Sequence, residues 1–297
     1  MYKELAIIAP TASGKTALSI TLAHKFNAVI LSLDSLAVYK KIDIASAKPT
    51  ITERDGIVHF GIDKIYPNEK FDVIEFIDEY KMAKEYAIQN GKNLIIVGGT
   101  GFYLKSMIDG LSPFPALTTQ TDNIVKDKML NLNSVYNDLS IKDSTYMKNI
   151  SPNDKYRIQK ALEIYTQTNL IPSIYFEQNK PKPIIQNIDI FEIETDVEKL
   201  RDMINTRTKL MIQAGIIDEV ISLEKEYTRK PNAMSSIGIV ETLDYLDAKI
   251  TKEQLEEQIY IHTAQLAKRQ RTFNRSQFNN IYKENLENLE KKILSMV

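Results

Sequence analysis

Lys15, Thr16, Asp34 and Thr100 are the residues of this 297-residue chain whose types and positions point to chemistry. Lys15 and Thr16 close the stretch APTASGKT, Ala9 to Thr16, set directly after the apolar run that begins at Leu5. This is the pattern of a phosphate-binding loop with alanine in place of its first glycine. Gly14 lets backbone N–H groups converge on an anion, and Lys15 adds a point charge. Thr16, on the first helical turn, can hold a magnesium ion, and the helix N-terminus favours negative charge. Ala9, Pro10, Thr11, Ala12, Ser13, Gly14, Lys15 and Thr16 therefore form the candidate phosphate-binding set. The plain alternative is a chance Gly-Lys-Thr helix start. Ala9 weakens the motif only if that position needs a dihedral reserved for glycine.

The elements that must position these residues read as an α/β fold. Leu5–Ala9 is expected to be a buried strand, Lys15–Phe26 a helix and Ala28–Leu33 a second strand. Phe71–Gln89 carries Phe71, Ile74, Ile77, Met82, Ala83 and Ala87 at helical spacing, and Asn93–Val97 is a third strand leading into GGTGFY. Strands alternating with helices indicate a parallel sheet with crossover helices. In such sheets ligands sit at the carboxyl ends of the strands. The second strand ends in Asp34 and Ser35, and the third in Gly98, Gly99, Thr100 and Gly101. An acid, a hydroxyl and a flexible glycine turn should thus meet the loop. For Asp34 the alternatives are a magnesium ligand of the Walker-B kind or a helix cap. For the glycines the alternative is an ordinary strand-to-helix turn.

After Gly110 the texture changes. Ser112–Pro115 is turn-rich, and the polar stretch to about Asn149 reads as an inserted helical lid. The expected division is 1–112 for the first part of a core like that of P-loop NTPases, 113–150 for the insert, and 151–297 for the core continuation and C-terminal helices. The second edge of the insert could lie as late as about 185. Asn153–Thr168 reads as a helix started by Pro152-Asn153-Asp154, Ile188–Ile193 as a strand, and the remainder as mostly helical.

Hydrophobic residues at 43% and charged residues at 26% are those of an ordinary soluble domain, enough for a core without staples. The absence of cysteine excludes disulfides, thiolate zinc sites and a cysteine nucleophile. No apolar run approaches a membrane span, and the opening residues lack a signal-peptide layout, so a cytoplasmic protein is expected. A net charge of −1 neither requires nor forbids a nucleic-acid partner. Lys268, Arg271 and Arg275, spaced by three and four, form a local basic stripe on the last long helix. Leu255, Ile259, Leu266 and Phe273 should pack inward on the other side.

Taken together, the segments resemble the tRNA dimethylallyltransferases, or tRNA isopentenyltransferases. PTASGKT resembles that family's phosphate loop, and DSLAVYKKIDIASAKP (Asp34 to Pro49) its D-S-x-Q-V-Y…D-I-G-T-A-K-P segment. HFGID (His59 to Asp63), GGTGFY (Gly98 to Tyr103) and PNDKYRIQKALEIY (Pro152 to Tyr165) resemble further motifs in the same order. So do IGIVE (Ile237 to Glu241) and LAKRQRTFNR (Leu266 to Arg275). This sequence departs from the family pattern at Ala9, at Ala37 where the family has a tRNA-contacting glutamine, and at Phe60, Lys160 and Phe273. Ile239 and Val240 also stand where the family has a Tyr-Lys pair.

The resemblance implies transfer of a dimethylallyl group from dimethylallyl diphosphate to N6 of the tRNA adenosine 3′ of the anticodon. The loop would then hold a diphosphate that leaves, with Mg2+ on Thr16. Asp34 would be a late general base, with Lys15 and Thr100 as its catalytic partners. The implied tRNA contacts are Asp34, Ser35, Leu36, Ala37, Thr100, Tyr156, Arg157, Ile158, Gln159 and Lys160, together with the Lys268, Arg271 and Arg275 stripe. Arg207 matches a family arginine and would reach the diphosphate or only pair with Asp202. His59 reads as structural. A monomer is the default. The competing readings are a nucleotide or metabolite kinase, an adenylate isopentenyltransferase acting on free nucleotides, and a non-catalytic RNA-binding protein. Such a loop can bind ATP, but the resemblance does not make ATP a substrate.

Overall fold

The computed structural model describes residues 2–296. In chain order its elements begin β1 (Glu4–Ile8), α1 (Lys15–Lys25), β2 (Ala28–Leu33), β3 (His59–Phe60), α2 (Val73–Gln89), β4 (Asn93–Gly98) and α3 (Gly101–Asp109). There follow α4 (Thr119–Lys128), α5 (Leu132–Lys142), α6 (Ser144–Met147), α7 (Lys155–Thr168), α8 (Pro172–Gln178), β5 (Asp189–Ile193) and α9 (Val197–Gln213). The chain ends with α10 (Ile216–Tyr227), α11 (Ile239–Leu246), α12 (Lys252–Gln277), β6 (Tyr282–Glu284) and α13 (Leu286–Met296).

The strands form one parallel sheet of order β3-β2-β4-β1-β5-β6. Its middle strands are covered on both faces, so Leu5–Ile8 is buried throughout and reads as an unbroken apolar run. Alternate residues Leu5, Ile7, Ile30, Ile95, Val97 and Phe191 pack with Leu18 and Leu22 of α1 and Leu289 and Ile293 of α13. The segment between β2 and β3 has no long element of its own. Val38, Tyr39, Ile42 and Ala45 anchor it in a second core with Val220, Ile239, Leu243, Leu255 and Ile259 of α10, α11 and α12. That anchoring fixes the chain just beyond Asp34.

The chain divides into two compact units. One comprises the residues up to Ser106 and those from Ile185 onward; the other is Met107–Ile184. The second unit has its own core of Val125, Val135, Leu139, Met147, Ile158 and Leu162. Helix α7 therefore belongs to this unit, whose second edge falls at Ile184, the later of the two edges expected and not 150, because its apolar stripe is consumed by α4 and α5.

Two other expectations are corrected. The inward face of α2 is Phe76, Ile77, Tyr80, Ala83 and Ala87, while Ile74 and Met82 are 54% and 45% exposed. Tyr80 has a polar tip that hides it from an apolar pattern, but its hydroxyl donates to Glu4 at 3.0 Å while its ring is buried. The helix itself starts after Asp72, which forms a reciprocal cap with Glu75, so Phe71 lies outside it. The short strand β6 has no apolar pattern to reveal it, since all its residues are exposed; it pairs with β5 at the sheet edge.

Gly98 ends β4 so close to β2 that a Cβ there would stand 2.3 Å from the Leu33 carbonyl oxygen. Gly98→Ala is expected to push β4 from β2 and to lower stability by about 1–3 kcal/mol, as overpacking does. Urea unfolding followed by circular dichroism checks this, and an unshifted midpoint would contradict the close approach.

Candidate active site

The loop between β1 and α1 is fixed by its own backbone and by two distant helices. Ala9 is fully buried, donates its N–H to the Gly98 carbonyl at 3.3 Å, and does not lie in the left-handed region, so no glycine is needed there. The left-handed positions are Ala12, at φ 65°, and Gly14, at φ 84°. Gln270 of α12 accepts the Thr11 N–H at 2.9 Å, and Arg207 of α9 donates to Thr11 Oγ1 at 3.1 Å and to the Ala47 carbonyl at 3.4 Å. Arg207 thus turns to the loop and not to Asp202. Lys15 Nζ donates to the Pro10 carbonyl at 3.3 Å. Ser13 Oγ is buried without a hydrogen-bond partner among the described residues. An orphaned hydroxyl and two cations around an anion loop form a site short of negative charge and of acceptors.

Titration follows from this crowding. Burial chiefly, and then the Arg207 charge, lower the Lys15 pKa to about 8, while Asp34 opposes both. Burial likewise lowers Arg207, again against the pull of Asp34.

Asp34 uses Oδ1 to accept the N–H groups of Leu36 and Ala37 at 2.8 and 3.2 Å. No helix follows β2, so this oxygen closes a turn rather than capping a helix, and the same residue lines the cavity beside Lys15. Thr100 donates its N–H to the Leu33 carbonyl at 3.1 Å, which ties the end of β4 to the end of β2. The glycine turn is packed rather than flexible. A Cβ on Gly99 would meet Gln270 Nε2 at 2.3 Å, and one on Gly101 would meet Asn274 Oδ1 at 2.7 Å. These glycines let α12 approach the sheet.

The resulting cavity has a volume of about 190 Å³. Thr11, Lys15, Asp34, Thr100, Arg207 and Gln270 supply its polar lining, and Leu36, Ala45, Ile204, Met211, Ile237 and Leu266 its apolar lining. Helix α9 lines it with Ile204, Arg207, Thr208 and Met211, and α12 with Thr263, Leu266 and Gln270, each a single helical stripe. Sequence reasoning misses Gln270, Thr208 and Met211. The available signal was Gln270 standing four residues after the apolar Leu266, on the face that turns inward.

Thr16 lines a smaller recess that also contains Asp34. Among the described residues no three His, Cys, Asp or Glu side chains gather as a metal site. A magnesium ion held mainly by phosphate oxygens and water needs only one or two protein oxygens, so the Thr16 hydroxyl at the start of α1 suits it.

The remaining site residues expected from the sequence separate into groups. Ser35 and Leu36 line the cavity, whereas Ala37 is buried and lines only the recess. Tyr156, Arg157, Ile158, Gln159 and Lys160 belong to the second unit. Ile158 is fully buried in that unit's core, where no RNA can touch it, which corrects its reading as a tRNA contact. Gln159 and Lys160 donate to Glu163 at 2.8 and 2.7 Å, and Lys160 Nζ sits 4.6 Å from the Phe114 ring centre. Tyr156 and Arg157 are exposed. Lys268, Arg271 and Arg275 are exposed and, with Lys283, line a separate concavity of about 320 Å³ whose acidic members are Glu192 and Glu194. On α12 the buried positions are Leu255, Ile259, Ala267 and Asn274, while Leu266 and Phe273 are half-buried because Leu266 faces the cavity.

This geometry fits what the chain is similar to. The IPP transferase family matches residues 37–277. The tRNA dimethylallyltransferase of Aliarcobacter butzleri is 55% identical over 98% of both chains, and that of Sulfurimonas denitrificans 53% over 98% of both. The tRNA isopentenylpyrophosphate transferase structure from Bacillus halodurans superposes with a TM-score of 0.73 at 28% identity, covering 100% of this chain and 95% of that one. A eukaryotic dimethylallyltransferase solved acting on tRNA gives 0.82 at 28% identity, covering 96% of this chain and 74% of the other. With an anion loop, a lone carboxylate and an apolar wall around one cavity, and with relatives alike over almost its whole length, the chain belongs to the tRNA dimethylallyltransferase family.

Proposed function

We propose that this chain transfers the dimethylallyl group of dimethylallyl diphosphate to N6 of the adenosine 3′-adjacent to the anticodon of tRNA, releasing diphosphate. It acts as a monomer in the cytoplasm. The observation that carries the reading is one cavity lined both by Lys15, Arg207 and Asp34 and by a set of apolar side chains. A kinase would have no use for the wall of Leu36, Met211, Ile237 and Leu266, whereas a five-carbon group has.

The residues divide the chemistry between them. The allylic C1–O bond breaks with its electron pair on the diphosphate, and the N6–C1 bond forms as it loosens. Lys15, Arg207 and the loop N–H groups meet the charge that grows on the departing oxygens. Mg2+ held on Thr16 would supply further neutralisation of that charge. An aspartate is too weak a base to deprotonate a neutral adenine amine beforehand, so Asp34 takes the proton once N6 becomes positive. Thr100 and Ser35 orient the extruded base, which must leave its stack to enter. Arg157, Lys160 and the Lys268, Arg271 and Arg275 stripe supply phosphate contacts along the anticodon arm.

Radiolabelled dimethylallyl diphosphate, magnesium and unmodified tRNA, with AMP and ATP as competing acceptors, should place label on tRNA alone. Label on AMP, or on nothing, overturns the reading. Asp34→Asn retains an oxygen able to accept from Leu36 and Ala37, so the turn should persist while transfer falls by about 10²–10⁴-fold, the usual worth of such a group. Near-full activity would remove Asp34 from the mechanism.

The depressed Lys15 pKa gives a signed pH effect. Below about 8 the lysine is charged and binds an anion; above it the free protein has lost the proton, which binding must recover. Affinity for inorganic diphosphate should therefore fall as pH rises through 8, with proton uptake seen by calorimetry in two buffers. Lys15→Arg should abolish that uptake. For the basic stripe, log affinity for tRNA should fall linearly with log salt, and replacing Lys268, Arg271 and Arg275 with alanine should reduce the slope by about 3. An unchanged slope excludes the stripe from the interface.

A further inference from the structure

Each turnover of the proposed reaction leaves a proton on Asp34 that must go before the next. The main cavity offers no second base, but the smaller recess does. This recess, of about 60 Å³, shares Lys15 and Asp34 with the cavity and adds Thr16, Ser32, Lys48 and His59. Space of that order takes about two waters, and hydroxyl-bearing walls supply their partners.

The tautomer of His59 is settled by its neighbour. Its Nδ1 lies 2.8 Å from the Ile57 carbonyl oxygen, which can only accept. Nδ1 therefore carries the proton and Nε2 is left as an acceptor. Burial chiefly, and the Arg54 charge, keep the imidazolium disfavoured, with the bond to Ile57 opposing them, so the ring rests neutral. The charged groups around it are Lys15, Lys48 and Arg207 on the recess wall and Arg54 beyond, against Asp34 and Asp63, with Asp43 paired to Lys48 and Glu79 of α2 paired to Lys64. Asp63 pairs with both Lys48 and Arg54. The surroundings thus retain a cationic excess, which drives a captured proton onward. His59 sits half-buried on β3, the edge strand of the sheet.

We propose that His59 takes up, through water in this recess, the proton that Asp34 removes from N6, and delivers it to solvent. The inference rests on the reading of Asp34 as the base. The proton passes from N6 to the Asp34 carboxylate, to water, and to His59 Nε2, while the electron pair of the broken C1–O bond stays on diphosphate. A free carboxylic acid is a stronger acid than a free imidazolium, the order that such a relay needs.

The test is the steady-state rate of transfer to tRNA over many turnovers, across about pH 5 to 8 where histidine charges, with the single-turnover rate, which ends before the relay acts, as the control. The wild type should lose rate as pH falls below 6.5, the ordinary histidine value. His59→Gln keeps a donor for the Ile57 carbonyl but cannot relay a proton. It should be about tenfold slower, less than the 10²-fold or more of a direct base, and should lack that acid limb. Added imidazole should restore its rate, and KM for both substrates should stay unchanged. A wild-type profile flat down to the carboxylate range overturns the proposal without recourse to any variant. So does a slow variant that imidazole does not rescue, or one whose only defect is a raised KM for dimethylallyl diphosphate. A wild type that moves no label to tRNA ends the underlying reading as well, which separates the two failures.

Discussion

Two cations and one carboxylate held in a partly dry chamber are the constraint on which the site depends. Lys15 and Arg207 each suffer from burial, and Lys15 also from its neighbour's charge, while Asp34 only partly offsets the strain. Both cations donate to neutral oxygens, those of Pro10, Thr11 and Ala47, and not to the Asp34 carboxylate. The missing negative charge is what an incoming diphosphate would bring. Interactions that are unfavourable in the empty protein thereby become binding energy that grows as the leaving group gains charge.

Holding like charges together requires a stiff frame, and the frame is built from both ends of the chain. The loop follows β1, near the N-terminus, yet Gln270 and Arg207 brace it from α12 and α9. Helix α12 comes close because Gly99 and Gly101 carry no Cβ to obstruct it, and Gly98 does the same for β2. The segment after Asp34 is held by a core shared with α10, α11 and α12. A truncated loop-and-sheet fragment would therefore contain the motif without the site.

The same geometry explains several departures from the family pattern. Ala9 is harmless because its backbone is not left-handed and its methyl group is absorbed into the core. Phe60 replaces a histidine but packs on Tyr86 of α2, with ring centres 5.6 Å apart, while His59 lines the recess. Ile239 is buried in the second core, where a tyrosine would need room and a partner for its hydroxyl. Ala37 is buried, and its methyl can make no polar contact of the kind a glutamine makes.

The sequence by itself determined the local facts: strand runs that stay apolar because both faces are covered, the loop between β1 and α1, and the acid and hydroxyl at the ends of β2 and β4. These depend on periodicity and on residues adjacent in the chain. Only the tertiary structure decided which oxygen of Asp34 is spent on a turn, that Arg207 turns to Thr11 and not Asp202, and that Gln270 closes the loop. It also decided that α7 joins the second unit, that Ile158 is core, and that the glycine turn is packed rather than mobile. Each of these turns on contacts between residues far apart in sequence, or on which face of a helix turns inward. A helical stripe shows that a face exists but not what it will meet.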